Sequence, residues 1–323
     1  MSRRTVNALL FGVASGLSML AQPAAAQYPA RPIRIVVPFP AGSATDAITR
    51  ILAQSVTTAI GQSVLADNKA GADGAIAASE VMHAAPDGYT LLMATNSPMS
   101  VVPAMRKVPP YDPVADFAPV SDIGRYTFFL YANAGVPFKT LQEMIAHAKA
   151  NPGKLNYATG NTTGIASFAQ MNSLAGIDMA HIPYKGEPAG VTDLVANRVQ
   201  LMFATITTGG AHVRDGKLRA IATSLPRRSP AFPEVPTMAE SGMPQFSIVS
   251  WAGLFAPAKT PKEVVARLNR EFVAAMKRPE VIAAMDKQAF FPSTSTPEQL
   301  GVYVKEQKES YARILRAAGV QPE

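Results

Sequence analysis

Two short stretches place small hydroxyl, amide and glycine residues where an apolar run gives way to a helical pattern. The first is Phe39-Pro40-Ala41-Gly42-Ser43-Ala44-Thr45-Asp46, and the second is Gly160-Asn161-Thr162-Thr163-Gly164. A loop leading into a helix N-terminus presents unpaired backbone N–H groups and the positive end of the helix dipole. Those features suit a small anion held by backbone rather than by a charged side chain. Phe39, Ala41, Gly42, Ser43, Ala44, Thr45 and Asp46 are therefore candidate contacts, together with Gly160, Asn161, Thr162, Thr163 and Gly164. Asn96 and Ser97 join them because they follow a strand at its carboxyl end, where open α/β sheets bind ligands, and Thr205 ends another strand. Taken alone, the first stretch reads equally well as an ordinary strand-to-helix turn. Its repetition favours two loops facing one another across a cleft, with a small anion between them.

Other chemistry finds little support. Asp46 as a general base competes with Asp46 as a capping partner three residues after Ser43, and the first helical turn favours the cap. His83, His147, His181 and His212 show no pairing at metal-ligand spacing. There is no Gly-x-Ser-x-Gly elbow. Gly210 to Lys217 misses the phosphate-loop pattern by one residue and by Leu218, and Gly160–Gly164 is not a dinucleotide fingerprint. The chain has no Cys, which excludes disulfides, a thiolate metal site and a catalytic thiol. Lys185 reads equally as a partner for a ligand carboxylate and as a surface residue. These features favour binding without bond chemistry, with no catalytic residue, metal or cofactor; an enzyme on the same scaffold is the weaker reading.

The elements that must position these loops alternate. Ile35-Val36-Val37 is a buried-strand run stopped by Pro38 and Pro40. A helix follows from Ala44 to Ile60, with Ile48, Ile51, Leu52, Val56 and Ala59 on one face and Gly61 closing it. Val64–Asn68 and Tyr89–Ala94 read as strands around an Ala-rich helix, and residues 101–117, rich in Pro, as mostly loop. Further on, 154–159 is a strand before the second loop, and 165–175 a helix. Strands 199–205 and 218–223 follow, then a strand 246–255 holding the single Trp251, and three amphipathic helices from 264 to 318. This alternation predicts parallel α/β architecture. Residues 118–123 and 126–131 carry the first crossing between two lobes, and 246–255 the return. The first lobe then comprises 27–125 and 250–323, and the second 126–249.

Residues 1–26 read as a cleaved signal peptide: Arg3 and Arg4, an apolar middle from Ala8 to Leu20, and Ala24-Ala25-Ala26 at the cleavage site. The apolar run is too short for a membrane anchor. The residues after the paired arginines continue a twin-arginine signal poorly, which favours the general export route. Removing those two arginines lowers the net charge from +7 to +5. The basic residues are scattered, so no nucleic-acid partner is expected, while mild basicity attracts anions.

Several further motifs run in order along the chain: Asp87-Gly88-Tyr89-Thr90-Leu91-Leu92, His181-Ile182-Pro183-Tyr184-Lys185-Gly186, Gly216-Lys217-Leu218-Arg219-Ala220, Val235-Pro236-Thr237 with Glu240 and Gly242, and Trp251-Ala252-Gly253-Leu254-Phe255-Ala256-Pro257. With residues 35–46, they resemble the Bug-type, or tripartite tricarboxylate transporter, substrate-binding proteins of bacterial periplasms. The resemblance implies a type II periplasmic-binding fold, two α/β lobes joined by two crossing strands, closing on a small carboxylate. It implies that loops 39–46 and 160–164 hold that carboxylate through backbone N–H groups and water. It also implies a monomeric receptor serving membrane permease subunits, or alternatively a sensor kinase.

Three departures stand out. Gly42-Ser43 replaces a frequent pair of glycines. Lys69-Ala70-Gly71-Ala72-Asp73-Gly74 stands where the family often shows Arg-Pro-Gly-Ala-Gly-Gly. Ala204 occupies a place where an acid often follows Met-Phe. Loss of that acid removes a partner for a ligand amine or hydroxyl, and tilts the expected ligand toward a plainer mono-, di- or aromatic carboxylate.

Overall fold

A computed structural model describes residues 28–322. The signal-peptide reading lies outside those residues. The described residues build two sheets. The first contains β1 (Ile33–Val37), β2 (Val64–Asn68), β3 (Thr90–Thr95), β4 (Phe117–Tyr126), β10 (Ser250–Pro257) and β11 (Phe290–Pro292), in the order β11-β4-β10-β3-β1-β2. The second contains β5 (Phe128–Asn133), β6 (Asn156–Thr159), β7 (Ala180–Pro183), β8 (Leu201–Thr205) and β9 (Leu218–Thr223), in the order β7-β6-β8-β5-β9. Each sheet mixes directions. β1 is parallel to β2 and β3, and β6 to β7 and β8, whereas β10 and β5 run antiparallel to their neighbours.

Local signals account for the helix that matters most. α1 (Ala44–Ile60) starts where Ser43 accepts the Asp46 N–H and ends at Gly61, whose φ of +68° suits a residue without Cβ. Its Ile48, Leu52 and Val56 are fully buried. α2 (Ala75–Met82) follows, and a π turn at Ser97–Val101 runs into the short α3 (Val102–Ala104). Residues 101–117 are thus less uniformly loop than their prolines predict, because Pro103 sits in the first turn of α3, where no N–H is needed.

In the second lobe, α4 (Leu141–Ala150) precedes β6, and α5 (Thr162–Ala175) begins three residues earlier than the apolar pattern suggests. Asn161, not the Gly164 boundary, is its cap. α6 (Glu187–Val195) and α7 (Ile206–Arg214) complete this lobe. α8 (Lys262–Met276), α9 (Pro279–Asp286) and α10 (Pro297–Ala317) return to the first. α8 and α10 both pack on β4, and α10 also reaches α5 across the cleft.

The chain passes from the first sheet to the second at Thr127, between β4 and β5. The return differs from the expected strand 246–255. Residues 246–249 have no strand partner, and β10 begins only at Ser250, wholly within the first sheet. Every residue of β10 is buried, as befits a central strand covered on both faces. Val101, Ala166, Ile248, Tyr311 and Leu315 form a small apolar cluster beside the return, drawing on both lobes.

Candidate functional site

The first helix start is braced from behind. Asp46 accepts the Gly42 N–H at 3.0 Å, the Asn68 side-chain amide at 3.0 Å and Arg50 Nε at 2.9 Å. Asn68 also donates to the Phe39 carbonyl at 3.0 Å. Burial alone would raise the Asp46 carboxyl. Arg50, the Gly42 N–H and the Asn68 amide outweigh it and hold the group below the ordinary carboxylate range. All this bonding lies on the far side of the turn. The N–H groups of Ala44 and Thr45 have no hydrogen-bond partner among the described residues, which leaves them for a ligand.

The second helix start faces the first. Asn161 Oδ1 accepts the Gly164 N–H at 2.9 Å, so its Nδ2 must point the other way, where it donates to Glu187 Oε1 at 3.3 Å. Glu187 Oε2 accepts from Thr205 N at 3.0 Å, Thr205 Oγ1 at 2.7 Å and Thr208 Oγ1 at 2.9 Å. Burial pushes the Glu187 carboxyl up, and these donors pull it part of the way back. Gly160 has no space for a side chain: a Cβ there would run into the Glu187 amide nitrogen and the Gly186 carbonyl carbon.

A polar knot joins the lobes beside these turns. Asn96 Nδ2 donates to Thr163 Oγ1 and to the Tyr311 hydroxyl, both at 2.8 Å. Its Oδ1 accepts from Ser250 Oγ at 3.1 Å. Ser97 Oγ shares a hydrogen bond with Thr162 Oγ1 at 2.8 Å and accepts the Thr163 N–H at 3.2 Å.

Between the two helix starts lies a small, partly open cavity. Phe39, Ser43, Ala44, Thr45, Thr95, Tyr126 and Ser250 line it from one side, and Phe128, Gly160, Asn161, Thr163, Glu187 and Thr205 from the other. Its free volume is about 20 Å³, room for about one water. The Tyr126 hydroxyl is buried at this cavity without a hydrogen-bond partner. Burial raises the pKa of this phenol and keeps it protonated, and Thr45 beside it, which does not meet hydrogen-bond geometry, offsets only part of that. A buried hydroxyl left unpaired is unfavourable, so this atom is poised for a ligand.

Of the residues anticipated from sequence, Phe39, Ser43, Ala44, Thr45, Gly160, Asn161, Thr163 and Thr205 meet at the cavity. The others do not line it. Ala41 and Gly42 are exposed on the outside of the turn, Asp46 is turned to Arg50 and Asn68, and Gly164 packs against Thr159. Asn96, Ser97 and Thr162 belong to the knot between lobes. Tyr126, Phe128, Thr95, Ser250 and Glu187 were not anticipated. Glu187 gave a local signal, an acid just after Lys185-Gly186, but a first-turn acid reads as an ordinary dipole partner.

Lys185 is exposed and lines an outer groove of about 450 Å³ that adjoins the cavity at Phe39 and Gly160. His181 Nε2 lies 2.6 Å from Thr159 Oγ1, and burial lowers its pKa. No metal-ligating cluster occurs among the described residues. A larger cavity, about 630 Å³, lies on the outer side of the second lobe near Lys139, Arg219 and Glu240, and shares no residue with the cleft.

Residues 48–320 match the model of the tripartite tricarboxylate transporter family receptor. Protein BugT of Bordetella pertussis is 34% identical over 97% of each chain. Among solved structures, the R. palustris protein Rpa4515 with adipate superposes with a TM-score of 0.88 at 28% identity, covering 92% of this chain and 100% of that one. MatC from Rhodopseudomonas palustris with bound malate gives 0.84 at 30% identity, covering 89% and 100%.

Proposed function

Because this chain belongs to the tripartite tricarboxylate transporter receptor family, we propose that it captures a small carboxylate in the periplasm and hands it to membrane permease subunits. The chain is a two-lobed solute-binding receptor rather than an enzyme. One observation carries the ligand class: the cavity between the lobes combines unbonded N–H groups of Ala44 and Thr45 with the unpaired Tyr126 hydroxyl. Donors without a cation suit a carboxylate, which accepts several hydrogen bonds at once. Adipate and malate, bound by the two related proteins, are carboxylates.

Ligand binding would stabilise the closed form by contacts made only there. The bodies that close are taken as 27–125 with 250–323, and 126–249. The membership of β4 and β10 in one sheet and β5 to β9 in the other supports that division, except that Tyr126, the last residue of β4, stays with the first sheet. Export with cleavage after Ala26 predicts a periplasmic form beginning at Gln27, measurable by intact-mass spectrometry.

A thermal-shift screen of the mature chain tests the reading, with succinate, malate, adipate, benzoate and aspartate against glucose and choline. Ligand at about 100 times its dissociation constant adds about 2.7 kcal/mol of stability. A rise in melting temperature with glucose or choline alone would refute it.

A further inference from the structure

Among the residues lining the cavity, Glu187 is the one charged side chain; no Lys, Arg or His accompanies it. It is 7% exposed, and although burial works against its charge, the Thr205 N–H, the Thr205 and Thr208 hydroxyls, the Asn161 amide and its place at the start of α6 all favour the carboxylate. Its two oxygens are unequally engaged. Oε2 takes three donors within 3.0 Å, whereas Oε1 takes one, Asn161 Nδ2, at 3.3 Å. Asn161 cannot turn to improve that bond, because its Oδ1 is committed to the Gly164 N–H. Oε1 therefore keeps acceptor capacity at the wall of the ligand cavity.

A plain carboxylate ligand meets a difficulty here. It would bring a second negative charge into a small space beside Glu187, with no cation among the lining residues to separate them. Like charges repel strongly when little water lies between them. A hydrogen-bond donor on the ligand, carried next to its carboxylate, removes the conflict. The carboxylate then meets the Ala44 and Thr45 N–H groups and the Tyr126 hydroxyl, and the donor meets Glu187. An ammonium does this best, since it also cancels the charge.

We propose that Glu187 is the specificity-determining residue of the cleft and selects carboxylates bearing an adjacent donor, an ammonium before a hydroxyl. This rests on the receptor reading above. It reverses the expectation drawn from Ala204. That residue packs in an apolar cluster with Phe129, Tyr131 and Val191, while the acid comes from the start of α6 and binds the next residue, Thr205. Glu187 could instead act only as a brace for Asn161 and Thr205. The two roles separate in how affinity varies among matched ligands, because a brace affects all of them alike.

The test is titration calorimetry of the mature chain with two matched sets: propionate, lactate and alanine, and succinate, malate and aspartate. In at least one set the wild-type protein should prefer the amino member to the unsubstituted member by tenfold or more, with the hydroxy member between. Glu187→Gln should shrink that ratio to about threefold or less, mainly by strengthening the unsubstituted acid. Unsubstituted acids binding the wild type as tightly as the amino acids would overturn the proposal while leaving the carboxylate receptor intact. So would an unchanged ratio in Glu187→Gln. Should that variant not fold, the wild-type ratios decide alone. If none of the six binds, and the thermal screen finds no carboxylate, the receptor reading fails and this inference with it.

Discussion

Ser97 Oγ lies 2.8 Å from Thr162 Oγ1 and accepts the Thr163 N–H at 3.2 Å, tying the π turn after β3 in one lobe to the first turn of α5 in the other. Both bonds exist only while the lobes are together. They bias the molecule toward the closed arrangement, as a ligand does when it bridges the same two turns. Ser97→Ala removes this link without touching the cavity lining. A net hydrogen bond contributes about 1 kcal/mol, so ligand affinity should fall about fivefold while the melting temperature changes little. Calorimetry measures the first and small-angle scattering the accompanying expansion. Unaltered affinity would mean that the lobes close without help from this contact.

Tyr126 offers a cleaner probe of the cavity. Its hydroxyl is buried and unpaired, so deleting it removes an unfavourable group rather than a bond. Tyr126→Phe should keep or slightly raise the stability of the ligand-free protein. Carboxylate affinity should drop by about tenfold, equivalent to about 1.4 kcal/mol. Stability and affinity falling together would point to a structural role instead.

Gly160 and Gly42 should respond in opposite ways. A Cβ at Gly160 strikes the backbone of Gly186 and Glu187, which cannot swing aside as a flexible side chain could. Gly160→Ala should therefore displace the start of α6 and weaken binding by more than tenfold. Gly42 has φ of +81° and open space around it. Gly42→Ala should cost about 1 kcal/mol in backbone strain and leave ligand affinity within about twofold. Denaturant melts and calorimetry on both variants distinguish the two effects.

Asp46 predicts a pH dependence of stability. Its folded pKa lies below the ordinary value of 3.8 because Arg50, Gly42 and Asn68 outweigh burial. Its contribution is therefore present above that value and lost as pH falls through the lower folded one. Asp46→Asn leaves donors facing one another and should lose about 1–3 kcal/mol at neutral pH. The variant and the parent should keep their difference above about pH 4 and converge below it, measured by urea unfolding between pH 2 and 7. A constant difference across that range would show that the carboxylate charge is not what matters.

The chain by itself determined the parts of this protein that depend on neighbours in sequence. α1 runs from Ala44 to Ile60, as its apolar spacing, Ser43 and Gly61 require. The helix start at Ser43 was legible because capping needs only a side-chain oxygen and an N–H three residues on, whereas the Asn161 start was not, because Thr162, Thr163 and Gly164 carry no apolar spacing to mark a first turn. Tertiary structure decided what those turns face. Residues 246–249 are apolar enough for a strand, yet they have no strand partner, and a strand exists only through the chain beside it. Ala41 and Gly42 share their turn with Ala44 and Thr45 but lie outside the cavity, because the second lobe approaches one side of that turn only. Glu187 became an acid in the cleft through Thr205 and Thr208, some twenty residues away, and Tyr126 an unpaired hydroxyl through the second lobe opposite. No local pattern encodes those meetings, since they depend on how the two sheets come together and on which polar atoms that contact shields from water.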